Sequence, residues 1–258
     1  MPRAKPPTVT ATTDDDIDPG PEPSGFTLTG PQFELDAVHL ARAVAATLTA
    51  VDPDEPRLQL ETFPDGLLVV GTDRYSLLTA WVPWPTGGGW EATQNLGDPR
   101  PALDAEPTGI YTAVDDDTTL ARWCAHYGKA SRAKDKPKER VTIELGELDT
   151  EQPVLSADLT PIGVRFGGDS MSTVLPATRG DGAIDWRIFA RQVDSAPPAA
   201  GHIAIGGNRL AQLGKVANAI GHERTAKLHT RELAAGAVTV VEFAGFPSVS
   251  GFIASPIT

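Results

Sequence analysis

One pattern recurs three times along this chain and constrains the fold more than any bulk property. It is a stretch with apolar residues at helical spacing, followed by short alternating strands. The first copy is FELDAVHLARAVAATLTAV, where Leu40, Val44, Leu48 and Val51 make a helix stripe. RLQLETFPDGLLVVGTDRYSLLTAWVP follows, turned at Pro64-Asp65-Gly66. The second copy opens at GIYTAVDDDTTLARWCAHYGKAS, with a helix start near Thr118 and Leu120, Cys124 and Tyr127 on one face. It continues into RVTIELGE and IGVRFGGDSMSTVLPA. The third is HIAIGGNRLAQLGKVANAI, with Leu210, Leu213, Ala217 and Ile220 on one face, then AKLHTREL, AVTVVEFAG and SVSGFIASP. Each copy closes on an apolar strand, a Gly-containing turn, a Ser/Thr-rich strand and a Pro. Segments 84–108 and 179–200 read as connections. Within the first closing strand, Asp73 and Arg74 read as turn residues.

At 258 residues the chain can bury a substantial core. No run of about 18 apolar residues is present to span a membrane. Residues 1–25 lack the apolar stretch of a secretory signal, and their Pro, Thr, Asp and Gly content reads as a disordered tail. The single Cys124 leaves no disulfide framework or cysteine cluster and makes the cytoplasm the default location. Net charge is −12, against a generally basic nucleic-acid binder. Segment 122–140, RWCAHYGKASRAKDKPKER, nevertheless carries +5, which leaves −17 on the remaining residues. An acidic body with one basic stripe fits a polyanion met on one face only.

Enzyme chemistry finds little support. The five histidines (39, 126, 202, 222 and 229) are scattered, and His222 and His229 match no zinc spacing. GGDSMS is not a nucleophile elbow, which needs Gly on both sides of x-Ser-x. GGGW and IGGNRL lack a dinucleotide fingerprint. Asp115, Asp116 and Asp117 precede a helix, where the positive helix end accounts for them. No catalytic residue, metal site or cofactor is expected.

A duplicated β-α-β-β-β unit is how DNA sliding clamps are built, and the chain resembles the bacterial DNA polymerase III beta clamp over roughly residues 26–258. GTDRYSLLTAWVP is similar to that family's ATDxxRLA strand. IGVRFGGDSMSTVLPATRGDGAIDWRIF is similar to the strand that leads into its FPDYRRVLP linker. IAIGGNRLAQLGKVANAI is similar to its IGFNxxYLLDAL helix, and GFIASPIT stands where the family ends in MPMRL. The chain departs from these patterns in several places. Ser76 holds the position of the first motif's Arg, Ala183-Ile184 replaces Phe-Pro, and the final Met and Arg are missing. Three repeats stand where a bacterial subunit has six and two-domain clamps have four, which implies a shortened, divergent clamp of a kind a phage could encode.

The resemblance implies an α+β fold of repeated β-α-β-β-β units, with helices lining a ring and sheets outside. It divides the chain into a tail (1–25), a complete clamp-like domain of two repeats (26–190) and a half-domain of one (191–258). The expected function is a polymerase processivity factor that encircles double-stranded DNA, without cofactor or membrane contact, in the cytoplasm of a host if phage-encoded. Contacts would be with phosphates, independent of base sequence and sensitive to salt. Candidate contacts are Arg42, Arg122, Lys129, Arg132, Lys134, Lys136, Arg209 and Lys215. A pocket for short peptides of the polymerase, and of a clamp loader, would be formed by Thr72, Tyr75, Leu77, Ile184, Phe189, Ile253, Ser255 and Pro256. Ring closure would need a homo-oligomer, a dimer or tetramer, with odd half-domains paired. The alternative is a clamp-like module that recruits replication proteins without encircling DNA.

Overall fold

The computed structural model describes residues 25–73, 75–84, 103–115, 118–129, 139–148, 162–180, 182–199, 205–221, 226–234, 236–243 and 248–254. The first unit is β1 (Phe26–Asp36), α1 (Ala37–Leu48), β2 (Arg57–Phe63), β3 (Gly66–Asp73) and β4 (Ser76–Pro83). The second is β5 (Gly109–Val114), α2 (Thr119–Tyr127), β6 (Arg140–Leu148), β7 (Ile162–Gly168) and β8 (Thr173–Arg179). After α3 (Trp186–Ser195) comes the third: α4 (Gly207–Ile220), β9 (Ala226–Leu233), β10 (Gly236–Phe243) and β11 (Ser248–Ala254).

Local chemistry sets the helix starts. The Asp36 side chain accepts the His39 N–H at 3.1 Å and caps α1. Thr118 sits at φ 56° without a side-chain cap, and Asp115 instead accepts from Thr119 Oγ1 and the Leu120 N–H. The first of the three aspartates therefore serves the helix end, as its position suggests.

The strands form one antiparallel sheet in the order β1-β6-β7-β8-β5-β2-β3-β4-β11-β10-β9. The first two units exchange their leading strands: β1 pairs with β6 of the second unit, and β5 pairs with β2 of the first. The third unit joins differently, edge to edge, through β4 and β11. Gly251 is required at this seam, because a Cβ there would collide with the Leu77 carbonyl.

Helices α2, α1 and α4 lie side by side on one face, with α1 in the middle. Its many alanines let neighbours approach closely, and Gly71 on β3 leaves no room for a Cβ against the Thr47 carbonyl. The core beneath the helices takes Leu58 and Leu60 from β2, Leu67 and Val69 from β3, and Leu78 and Ala80 from β4. The alternate residues Phe63, Leu68, Val70, Leu77 and Trp81 form a second core on the opposite, outer face, covered by Trp186 and Ala190 of α3. These strands are thus buried on both sides, which explains their nearly continuous apolar runs.

Three expectations change here. Segment 179–200 is not only a connection but holds α3, whose Trp186, Ala190 and Val193 are spaced to bury one face. The expected division between residues 190 and 191 lies within that helix. On α4 the buried stripe is Gln212, Leu213, Val216 and Ile220, whereas Leu210 is 53% exposed and Ala217 half-buried.

Candidate nucleic-acid and peptide interfaces

The helix face carries the candidate phosphate contacts. Arg122 and Lys129 are exposed at α2, away from its buried Leu120, Trp123, Cys124 and Tyr127. Lys215 is exposed on α4. A shallow furrow runs between the helices, lined by Ala41, Ala45, Leu48, Ala125, Ala219 and Arg42. Arg42 is half-buried and its Nε donates to the Gly128 carbonyl at 3.4 Å, at the C-terminal end of α2. Arg132, Lys134 and Lys136 lie outside the described residues.

Arg209 has a different role from the one its helix position suggested. Its Nη1 meets Asp73 Oδ2 at 2.8 Å and Gln212 Oε1 at 3.0 Å, and its guanidinium lies 5.4 Å from the Tyr75 ring centroid. Asp73 Oδ1 accepts from the Tyr75 N–H, the Ser76 N–H and Ser76 Oγ, and so forms the β3–β4 turn. Burial acts to raise the Asp73 pKa, but the Arg209 hydrogen bond and the turn donors outweigh it and hold the carboxyl below its ordinary 3.8. Gln212 Nε2 donates to Ser76 Oγ and to the Thr49 carbonyl. The interruption in the strand is therefore a turn grasped by the third unit's helix.

The equivalent turn of the second unit, between β7 and β8, is held by its own helix. The Tyr127 hydroxyl donates to the Met171 carbonyl and accepts from the Ser170 and Met171 N–H groups. Burial raises the Tyr127 pKa and keeps the phenol protonated. Burial, with the Asp115 charge adding to it, likewise pushes the Cys124 thiol up, so it stays an inert core group. Among the described residues no His, Cys, Asp and Glu group could hold a metal ion, and no helix is long and apolar enough to cross a membrane.

On the outer face the eight candidate pocket residues separate. Leu77 and Phe252 lie opposite each other across the β4–β11 seam, and Phe189 of α3 packs edge-on to Phe252 with centroids 5.4 Å apart. Ile184, bound through its backbone to Gln59 of β2, is exposed, and so is Ile188 on α3. Ile253 belongs to the core beneath the helices. Successive strand residues alternate faces, so the outward position beside it falls to Phe252. Tyr75 sits at the turn tip with Arg209, and Thr72 Oγ1 donates to the Ser76 carbonyl inside the turn. Ser255 and Pro256 lie outside the described residues.

Two residues missing from the expected set organise this face. Gln59 pairs with the Ile184 backbone, accepting its N–H at 2.6 Å and donating to its carbonyl at 3.2 Å. Glu61, fully buried, accepts from Trp186 Nε1 at 2.8 Å and from both terminal nitrogens of Arg187, and it also takes the Gln59 amide at 2.7 Å. Together they fix the start of α3 to β2. Their signal in the sequence is two polar side chains, two residues apart, inside the otherwise apolar strand RLQLETF.

No family model and no curated protein matches the chain. Similar solved structures include the Caulobacter crescentus beta sliding clamp, at 15% identity and TM-score 0.48 over 94% of this chain and 68% of that one. The Helicobacter pylori beta clamp, solved with a DNA ligase peptide, is 8% identical with TM-score 0.47, over 88% and 67%. The Pseudomonas aeruginosa DNA polymerase III beta subunit is 10% identical with TM-score 0.42, over 88% and 65%. The described residues form an α+β protein dominated by one large antiparallel sheet, and the solved structures it is similar to, at low identity, are bacterial DNA polymerase III beta sliding clamps.

Proposed function

We propose that this chain is a DNA sliding clamp that tethers a replicative polymerase to duplex DNA. The observation that carries the reading is the strand-exchanged pair of β-α-β-β-β units, with helices gathered on one face and exposed Arg122, Lys129 and Lys215 upon them. α2 opens the +5 segment of an otherwise acidic chain, so in this reading a phosphate backbone meets attraction at the helix face and repulsion elsewhere. Arg42 and Arg209 serve packing and turn geometry in this reading. Several copies would close the ring, and the protein would work in the cytoplasm. It performs no covalent step.

The peptide seat in this reading is the apolar outer patch at the β4–β11 seam, with Phe189, Phe252 and Ile188 as its rim and Leu77 as its floor. An extended or helical segment with hydrophobic anchors suits such a surface. Its partners would be the polymerase and a clamp loader. The test of the DNA face is charge reversal. The triple variant Arg122→Glu, Lys129→Glu, Lys215→Glu should weaken duplex binding by at least tenfold and flatten its dependence on salt. Unchanged affinity would remove the helix face from the account. A second reading, a clamp-like module that does not encircle DNA, is favoured by the third unit, which among the described residues has no strand-exchanged counterpart. The two readings differ in whether DNA topology matters.

A further inference from the structure

α3 crosses the outer face of the sheet, and different units hold its two ends. At its start, Gln59 and Glu61 of β2 bond the Ile184 backbone, Trp186 Nε1 and Arg187. Midway, Phe189 packs on Phe252 of β11. At its end, Arg231 Nη1 of β9 donates to the Ala196 carbonyl at 3.3 Å. The chain beyond runs along the edge of β9 away from β10. There the Ala199 N–H donates to the Thr230 carbonyl and the Glu232 N–H to that of Pro197, both at 3.0 Å. In the sheet, β3, β4, β11 and β10 lie between the two attachments.

The attachment points are equivalent positions of the first and third units. The β2–β3 hairpin closes on the pair Phe63–Gly66 and the β9–β10 hairpin on Leu233–Gly236. Counting back from each turn sets Glu61 against Arg231. Arg231 faces outward like Glu61, because it lies two residues from His229. That residue stands in one cross-strand row with Val240, Phe252 and Leu77 of the outer face. The second unit also carries a glutamate here: Arg140 to Glu144 of β6 repeats the spacing of Arg57 to Glu61, and Glu144 is bonded to Gln32 and Arg165 of its own sheet. Among the three strands only β9 reverses the charge.

The reversal suits the helix that meets it. The Asp185 N-cap of α3 makes no side-chain cap, and the helix has no acidic residue in its first turn and no basic one in its last. Its own Arg187 and Asp194 stand at the ends where their charges oppose the helix dipole. The sheet supplies the missing charges. A carboxylate meets the amide end, and a guanidinium meets the carbonyl end.

We infer that α3 is a charge-matched brace across the β4–β11 seam and that Arg231 is a positioning residue. It holds the far end of the helix on the third unit and so fixes where Ile188 and Phe189 stand over Phe252. On the helix face, Arg209 and Asp73 fasten the same seam. A fastening on each face keeps the third unit from swinging about the β4–β11 ladder, and releasing Arg231 frees one of them. The consequence for a bound peptide rests on the seat proposed for this face. The brace does not, and its test uses neither peptide nor DNA.

Electron–electron double resonance on the full chain reads the seam. Nitroxide labels at Asp65→Cys of the β2–β3 turn and Lys227→Cys of β9 span it, whereas labels at Asp65→Cys and Asp169→Cys span the first two units. All three positions are exposed and Cys124 is buried. Labelled protein is diluted in unlabelled protein so that only distances within one chain are read. Both distributions should be narrow with Arg231 in place. Arg231→Glu sets a negative charge against the carbonyl end of α3; it should roughly double the width of the first distribution and leave the second unchanged. Arg231→Lys should keep both narrow. A first distribution already broad with Arg231 in place or unmoved by Arg231→Glu, equal broadening of both, or a lysine variant as broad as the glutamate one would each overturn the brace.

Discussion

The chain contains two seams between its repeats, and they are built on different principles. Between the first and second units, each contributes a strand to the other's ladder and a helix to a shared apolar core. Separating them means breaking two ladders and exposing that core together. Between the first and third units, one antiparallel ladder joins β4 to β11. The apolar core continues across this seam through Leu213, Val216 and Ile220 of α4 and Val249 and Ile253 of β11, and polar fastenings are added: the Arg209–Asp73 ion pair on the helix side, and Glu61 of β2 holding α3, which leads to the third unit, on the outer side. The exchanged seam resembles the interior of a domain. The edge-joined seam has no strand exchange, and it adds to the shared core charged groups that respond to pH and to single substitutions.

Perturbing the exchanged seam should have the largest effect. Trp123 is fully buried against Tyr127 and Phe166. Trp123→Ala should cost about 3–5 kcal/mol and lower the denaturant midpoint of the whole chain in one cooperative transition. On the outer face, where α3 packs Phe189 against Phe252 of β11, Glu61→Ala leaves Arg187 without its carboxylate and Trp186 Nε1 without an acceptor. It should cost about 3 kcal/mol, and hydrogen exchange should accelerate in β11 and α3 while β1 and β6 keep their protection. Equal loss of protection in both ladders would show that the seams do not act separately.

The smallest effect belongs to Asp73, and it carries a pH signature. Its folded pKa is lowered, so its stabilising contribution is complete above the ordinary value of 3.8 and fades as pH falls through the lower folded value. Acid should therefore loosen the β3–β4 turn and its hold on α4 in that window. Asp73→Asn should cost about 1 kcal/mol at neutral pH and abolish this acid-dependent step, read from exchange of the Tyr75 and Ser76 amides.

Much of the first two units was legible in the sequence because their helices bury conventional stripes. Leu40 and Val44 on α1 and Leu120, Cys124 and Tyr127 on α2 all face the core as the spacing indicates. The threefold order of elements and the role of Asp73 as a turn residue followed from comparing the three closing strands. What escaped reading depended on partners distant in sequence. Leu210 looked like a core residue because its helical phase is sound, yet among the described residues no element covers it and it is exposed. Arg209 looked free because Asp73 lies 136 residues away. α3 was hidden in a polar, Pro-flanked segment, and its Glu61 acceptor sits on β2, 125 residues earlier. Ile253 fell on the wrong face because a one-residue shift in strand alignment reverses every side chain.

The clamp account makes topology the deciding variable. The protein should be assembled on a closed circular duplex, washed in salt that removes direct phosphate contacts, and its retention compared with that on the same molecule cut once. A ring stays on the circle and is lost from the cut DNA through its ends. Equal loss from both would contradict encirclement and leave a phosphate-binding module in its place.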